Sequence, residues 1–251
     1  MKPLRGFAAL ALLALSSVPA SAIAQDELRG MFRLTQTTAD LLDPDTAREL
    51  SEIIPIDEEL QWQVYVPENY DRQKPAGAFV FVDPGGWGGM PDQYRALFTT
   101  LNMIWIGPNR TGSRSSPTKS MWTTILASRV IQKDYAIDLN RMYVGGTGAG
   151  ALTAMTAMIA SSEFSGIVKI SGSIPLANIP AEYIDTLMRK RFVFMTSKND
   201  KARTAMRADY ESYKKAGFEN AHLIFDMKGS QAVLSPELMD EAIRYLDSRL
   251  N

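Results

Sequence analysis

The chain has no cysteine and only one histidine, His222, among its 251 residues. Without thiols there is no disulfide, no thiolate metal site and no cysteine nucleophile, and one imidazole does not build a histidine-rich zinc or iron centre. Charge of one sign is equally scarce. Lys and Arg number 27 against 28 Asp and Glu, a formal net charge of −1. That balance supplies no field for holding nucleic acid or an anionic membrane surface. No internal repeat or low-complexity run is present. The absences imply no metal and no cofactor, and they leave few routes to difficult chemistry.

A membrane-spanning run is also missing. The most apolar segment, Phe7 to Leu15, is about half the roughly 20 residues a span needs. It follows Lys2 and Arg5 and precedes Ser16-Ser-Val-Pro-Ala-Ser-Ala-Ile-Ala24, so a basic start, an apolar centre and an Ala-x-Ala site stand in the order of a secretory signal peptide. The expectation is cleavage near Ala24, export across a bacterial inner membrane, and a periplasmic or secreted product with no membrane span. Roughly 225 residues then remain, enough for one large α/β domain.

Residues 25–60 read as a polar, weakly helical N-terminal extension, and residues 61–251 as the main domain. Gln61-Trp-Gln-Val-Tyr-Val66 alternates with period two and stops at Pro67, as an outer strand would. Ala78-Phe-Val-Phe-Val82 and Met103-Ile-Trp-Ile106 are continuous apolar runs suited to buried central strands. A helix is expected from about Ser120 to Asp134. Further strands are expected at Arg141–Val144, Gly166–Ile170, Arg191–Thr196 and His222–Met227. Helices are expected at Ala149–Ala160, Lys201–Lys215 and, capped by Ser235 with Pro236 in its first turn, from there to about Leu250. Strands alternating with helices predict a mostly parallel central sheet with helices on both faces. Only about 20 residues separate Ile170 from Arg191, which leaves no room for a large cap domain.

The informative segment is Arg141-Met-Tyr-Val-Gly-Gly-Thr-Gly-Ala-Gly-Ala151. It resembles the strand, Gly-x-Ser-x-Gly turn and helix of the α/β-hydrolase superfamily, in particular secreted esterases of the feruloyl esterase and polyhydroxybutyrate depolymerase type. The resemblance runs from roughly Pro55 to the C-terminus. Trp62–Tyr70 looks like the opening strand of those esterases. Asp83-Pro-Gly-Gly-Trp-Gly-Gly89 falls where they carry a His-Gly-Gly-type oxyanion loop, and Tyr135–Arg141 resembles their lead into the elbow strand.

The resemblance implies an α/β-hydrolase fold, and it exposes two substitutions. Gly146 and Gly150 match the flanking glycines, yet the nucleophile position between them is Gly148. Asp200 matches the acid position, whereas the histidine position, in Met227-Lys-Gly-Ser-Gln231, holds Gln231. In a serine protease, loss of the serine or the histidine alone lowers turnover by about a millionfold. The expectation is a catalytically degenerate protein that binds a small ligand or a protein partner. Backbone N–H groups at Gly86, Trp87 and Ala149 are the candidate carbonyl- or anion-binding donors. The alternative is a carboxylic-ester hydrolase with a rebuilt site using Thr147, Ser113 or Ser230. His222, at the start of its strand, lies some 17 Å from the sheet edge where such sites assemble. Trp105 reads as core, and Trp87 and Trp122 as core or pocket. Gly146-x-Gly148-x-x-Ala151 also fits a dinucleotide fingerprint, but the next strand ends Ile170-Ser-Gly-Ser173 without the required acid.

Overall fold

A computed structural model describes residues 28–111, 115–172, 174–197, 199–227 and 234–248. The expected signal peptide, Ser113, Ser230 and Gln231 lie outside the described residues.

Eight strands form one sheet: β1 (Gly30–Gln36), β2 (Leu60–Val66), β3 (Ala76–Val82), β4 (Met103–Pro108), β5 (Ile137–Thr147), β6 (Gly166–Ile170), β7 (Arg191–Ser197) and β8 (Ala221–Met227). Their order across the sheet is β1-β2-β4-β3-β5-β6-β7-β8. The β1–β2 and β2–β4 pairs are antiparallel, and all pairs from β4 to β8 are parallel. The sheet is therefore mostly parallel, as its apolar central runs require.

One expectation changes. The Gln61–Val66 run is not the outermost strand, because β1 pairs with it along its whole length, Gly30 opposite Val66 and Gln36 opposite Leu60. β1 comes from the segment read as weakly helical. Its alternation is faint because Arg33 and Thr35 face solvent while Phe32 and Leu34 only half-bury against the core. The two short helices that follow, α1 (Thr38–Leu41) and α2 (Pro44–Leu50), fit the reading, the second capped by Asp43 accepting from Thr46 N–H.

The remaining helices cover both faces: α3 (Arg95–Thr100), α4 (Pro117–Asp134), α5 (Ala149–Ala160), α6 (Ile184–Met188), α7 (Arg203–Lys215) and α8 (Pro236–Asp247). Alternation along each strand divides the core in two. Val80, Val144, Ile167 and Phe194 face one cluster with Val130, Met155, Met158 and Tyr213. Phe79, Tyr143, Val168 and Met195 face the other, with Phe98, Met239, Ile243 and Leu246. α5 is nearly all Ala and Met on its buried side, so it lies close to the sheet. α8 begins as its composition predicts, with Ser235 Oγ accepting from Leu238 N–H and Pro236 at the first position.

A polar clamp fastens α8 at the amino end of the sheet. Asp247 accepts from Arg141 Nε (3.0 Å) and Nη2 (2.8 Å) and from the Tyr143 hydroxyl (2.7 Å). Arg191 Nη1 donates to the Leu246 carbonyl at 2.6 Å. Removing the carboxylate strands a half-buried guanidinium and a buried phenol. Asp247→Ala is expected to destabilise the fold by about 2–3 kcal/mol, seen as a melting temperature lower by roughly 5–10 °C. Asp247→Asn, which keeps an acceptor, should lose less.

Candidate functional site

The parallel strands point their carboxyl ends to one edge, where open α/β sheets place ligands. β5 reaches that edge at Thr147, the chain turns at Gly148, and α5 starts at Ala149. Gly148 has φ 54° and ψ −117°, a region that L side chains rarely adopt, and its N–H donates to the Ile170 carbonyl at 2.8 Å. The turn is the sharp strand-to-helix elbow that the glycine spacing implied.

The three glycines serve different purposes. A Cβ on Gly150 would lie 2.0 Å from the Val82 carbonyl oxygen, and one on Gly146 would lie 2.5 Å from the Gly150 carbonyl carbon. Both contacts are backbone against backbone and cannot give way. A Cβ on Gly148 would meet nothing within 4 Å. The flanking glycines are steric necessities, whereas the apex position has room for a side chain and carries none. Thr147, the neighbouring hydroxyl, is buried at the end of β5.

The loop after β3 lies against this elbow through the Val82 contact. Asp83 makes a tight turn, its Oδ1 accepting from Gly85 N–H (2.7 Å) and its carbonyl from Gly86 N–H (3.1 Å). Gly86 N–H is therefore already engaged. Among the described residues, the N–H groups of Trp87 and Ala149 have no acceptor. Two side chains that the sequence reading did not link to this loop hold it: Asn109 Oδ1 accepts from Gly88 N–H (3.0 Å), and Trp105 Nε1 donates to the Gly88 carbonyl (2.8 Å). Trp105 is core, 1% exposed, and also a tether, whereas Trp87 is 61% exposed at the rim. Trp122, in α4, packs half-buried against the core.

Asp200 follows β7 at the same edge and is buried. Its Oδ2 accepts from Thr196 Oγ1 and its Oδ1 from Ala202 N–H, each at 2.8 Å, while its carbonyl accepts from Arg203 N–H. This carboxylate thus braces the start of α7. His222 is remote from all of this. It sits opposite Val193 near the amino end of β8, stacks on Tyr245 with centroids 4.5 Å apart, and faces Glu241 at 3.4 Å.

Ser171, just past β6, carried no signal in the sequence. It has φ 52° without being glycine, and its buried hydroxyl has no partner among the described residues. Its N–H donates to the Met195 carbonyl, and the next residue, Gly172, fits against the Gly148 carbonyl, where a Cβ would come within 2.5 Å. The turn after β6 therefore wedges the elbow from the side opposite the β3 loop.

The strand order, the antiparallel second strand and the elbow after the fifth strand together decide the architecture. The fold is that of the α/β-hydrolases. No protein-family model and no curated protein matches the sequence. Among solved structures, 88% of the chain matches 89% of the feruloyl esterase module from Clostridium thermocellum complexed with sinapinate, at TM-score 0.65 and 15% identity. A ferulic acid esterase matches at TM-score 0.64 and 12% identity, covering 89% of this chain and all of that one. The chain spans 62% of the length of a thermostable esterase that it matches at TM-score 0.59 and 15% identity. At these identities the likeness carries the α/β-hydrolase architecture and leaves chemistry to the site.

The different roles of the glycines are separable by mutation. Gly148→Ser is expected to cost only the backbone strain of a positive-φ residue, about 1–3 kcal/mol. Gly150→Ala must push β3 and α5 apart and should abolish cooperative folding or cost more than about 3 kcal/mol, as an overpacked site does at its upper end. Urea denaturation of the two variants checks this. A Gly150→Ala protein as stable as the parent would show that the elbow packs differently.

Proposed function

We propose that this chain is an exported, non-catalytic protein of α/β-hydrolase fold that binds a small acyl or aryl ligand at the elbow edge. One observation carries the reading: the apex of a well-formed nucleophile elbow is Gly148, with open space where a serine hydroxyl would project. A backbone shaped for a nucleophile, without one, retains a binding notch and loses the covalent step. Asp200 is retained, and the chain's single imidazole belongs to His222 at the opposite end of the sheet.

The ligand class follows from what the edge offers. The N–H groups of Trp87 and Ala149, without an acceptor among the described residues, are the proposed donors to a carbonyl or carboxylate oxygen, and the exposed indole of Trp87 is the proposed aromatic surface. A structural neighbour described with sinapinate bound, an aromatic acid, supports a ring-bearing carboxyl compound. Export rests on the basic, apolar and small-residue order of residues 1–24; among the described residues no helix is long and apolar enough to cross a membrane.

A second reading, an ester hydrolase with a rebuilt site, is favoured by the esterase neighbours. Two assays divide the readings. The unmodified protein should neither react with a fluorophosphonate probe nor hydrolyse p-nitrophenyl acetate above background. Gly148→Ser combined with Gln231→His should give measurable hydrolysis, while each single change stays at background, because serine and histidine act as one unit. Hydrolysis by the unmodified protein, abolished by substitution at Thr147, Ser113 or Ser230, would establish the second reading instead. Separately, sinapinate should raise the melting temperature of the unmodified protein, and Trp87→Ala should remove that shift.

A further inference from the structure

The sheet face under α7 holds a feature that the elbow does not use. Lys169, in β6, is completely buried, and its Nζ has no hydrogen-bond partner among the described residues. The Asp209 carboxylate of α7 stands 3.7 Å away, an ion pair too long for a hydrogen bond. The ammonium lies over the Phe194 ring, 4.6 Å from its centroid, and 5.5 Å from that of Tyr213. The Tyr213 hydroxyl is likewise buried without a partner. Two unsatisfied polar atoms and a carboxylate thus share the contact between α7 and the sheet. By contrast, Ala151, Ala154, Met155 and Met158 make the buried face of α5 apolar.

An orphaned buried polar group is destabilising and loses that penalty on meeting water. Lifting α7 hydrates Lys169 Nζ and Tyr213 Oη together, which offsets part of the loss of Tyr213 packing on Phe192, Phe194 and Phe218, an offset that an apolar helix lacks. Its first turn is also the Asp200 loop, where Ala202 N–H and Arg203 N–H bond to Asp200. We infer that α7 is a proton-linked flap: it opens locally from the sheet when Lys169 is protonated, and its opening carries the Asp200 loop with it.

The sign follows from the lysine. Burial pulls Lys169 down from 10.5 to about 8, with Asp209 pulling the other way. The opened, hydrated form regains the ordinary value. Between about pH 8 and 10.5 the opened form holds more protons than the closed one, so opening becomes harder as pH rises and is easiest below about 8. The titratable groups on that side of α7 are Asp209, Tyr210 and Tyr213. β7 presents Phe192 and Phe194, and β5 sets Gly146 opposite Lys169, none of them charged. Burial also raises the Tyr213 phenol, so the window below pH 9.5 belongs to the lysine. Lys190, likewise pulled down to about 8, sits at the amino end of β7 and affects global stability. The test must therefore be local.

Hydrogen exchange of the full chain, resolved by peptide, provides it. At pH 7, α7 amides should exchange through openings at least tenfold more frequent than those of α5. After correction for the intrinsic rate, the α7 opening constant should fall roughly tenfold from pH 8 to 9.5 while that of α5 stays level, as uptake of about one proton on opening requires. Tyr213→Phe removes one orphan, so it should protect α7 better and leave the pH dependence in place. Lys169→Met with Asp209→Leu should make α7 protection independent of pH. α7 as protected as α5 at pH 7, or an α7 opening constant that does not change with pH, overturns the proposal, as does an unchanged pH dependence in the double variant. None of these outcomes depends on whether the elbow binds a ligand.

Discussion

The edge of this molecule is organised by a contact between bare backbones. Gly146 and Gly150 let β5 and the first turn of α5 approach the Val82 carbonyl more closely than any side chain permits. That approach sets where β5 must turn, which places Gly148 in its positive-φ conformation and its N–H on Ile170. From the other side, the turn at Ser171 and Gly172 closes against the same bend. The β3 loop is seated by the first contact and then tied down by Asn109 and Trp105. A site built this way depends on main-chain geometry and needs no reactive group, so the architecture survives with glycine at its apex.

Much of this was legible in the residues because it is a matter of spacing. Gly146, Gly148 and Gly150 announced an elbow, and the continuous apolar runs announced buried parallel strands. β1 escaped notice because only Phe32 and Leu34 alternate with exposed residues, too short a run to stand out from the polar segment around it. The tether from Trp105 to Gly88 was invisible for another reason: a tryptophan in a buried strand is sufficiently explained as core, and its N–H partner is set by tertiary structure. Ser171 was missed because nothing in Ile170-Ser-Gly172 specifies which residue takes the left-handed conformation. Gln231 was read as standing at the histidine position, and that reading rests on the resemblance of the segment around it.

Lys169 illustrates a limit of pattern reading. In Gly166-Ile-Val-Lys-Ile170 a lysine among apolar residues can be taken as the solvent-facing member of a strand. In this sheet both faces are covered, so no solvent-facing member exists at that position, and α7 must accommodate the amine. It does so with one carboxylate and two aromatic rings. This leaves the fold with one helix, α5, seated by Ala and Met and another, α7, seated by Met206 and Tyr213 around a buried ion pair.

The entry to α7 bears on why an acid, Asp200, stands at the edge that carries Gly148. In a working triad the acid orients the histidine, and without a histidine that task disappears. The structure gives Asp200 another one: its two carboxylate oxygens hold the Thr196 hydroxyl and the N–H of Ala202, bracing the entry to α7. Capping interactions of this kind are worth on the order of 1 kcal/mol. The apex has no comparable structural duty, since a side chain there would touch nothing. On the proposed reading, a chain kept for its fold and its notch retains the acid and loses the serine, because only the acid also supports the scaffold. The presence of Asp200 is therefore no argument for residual catalysis.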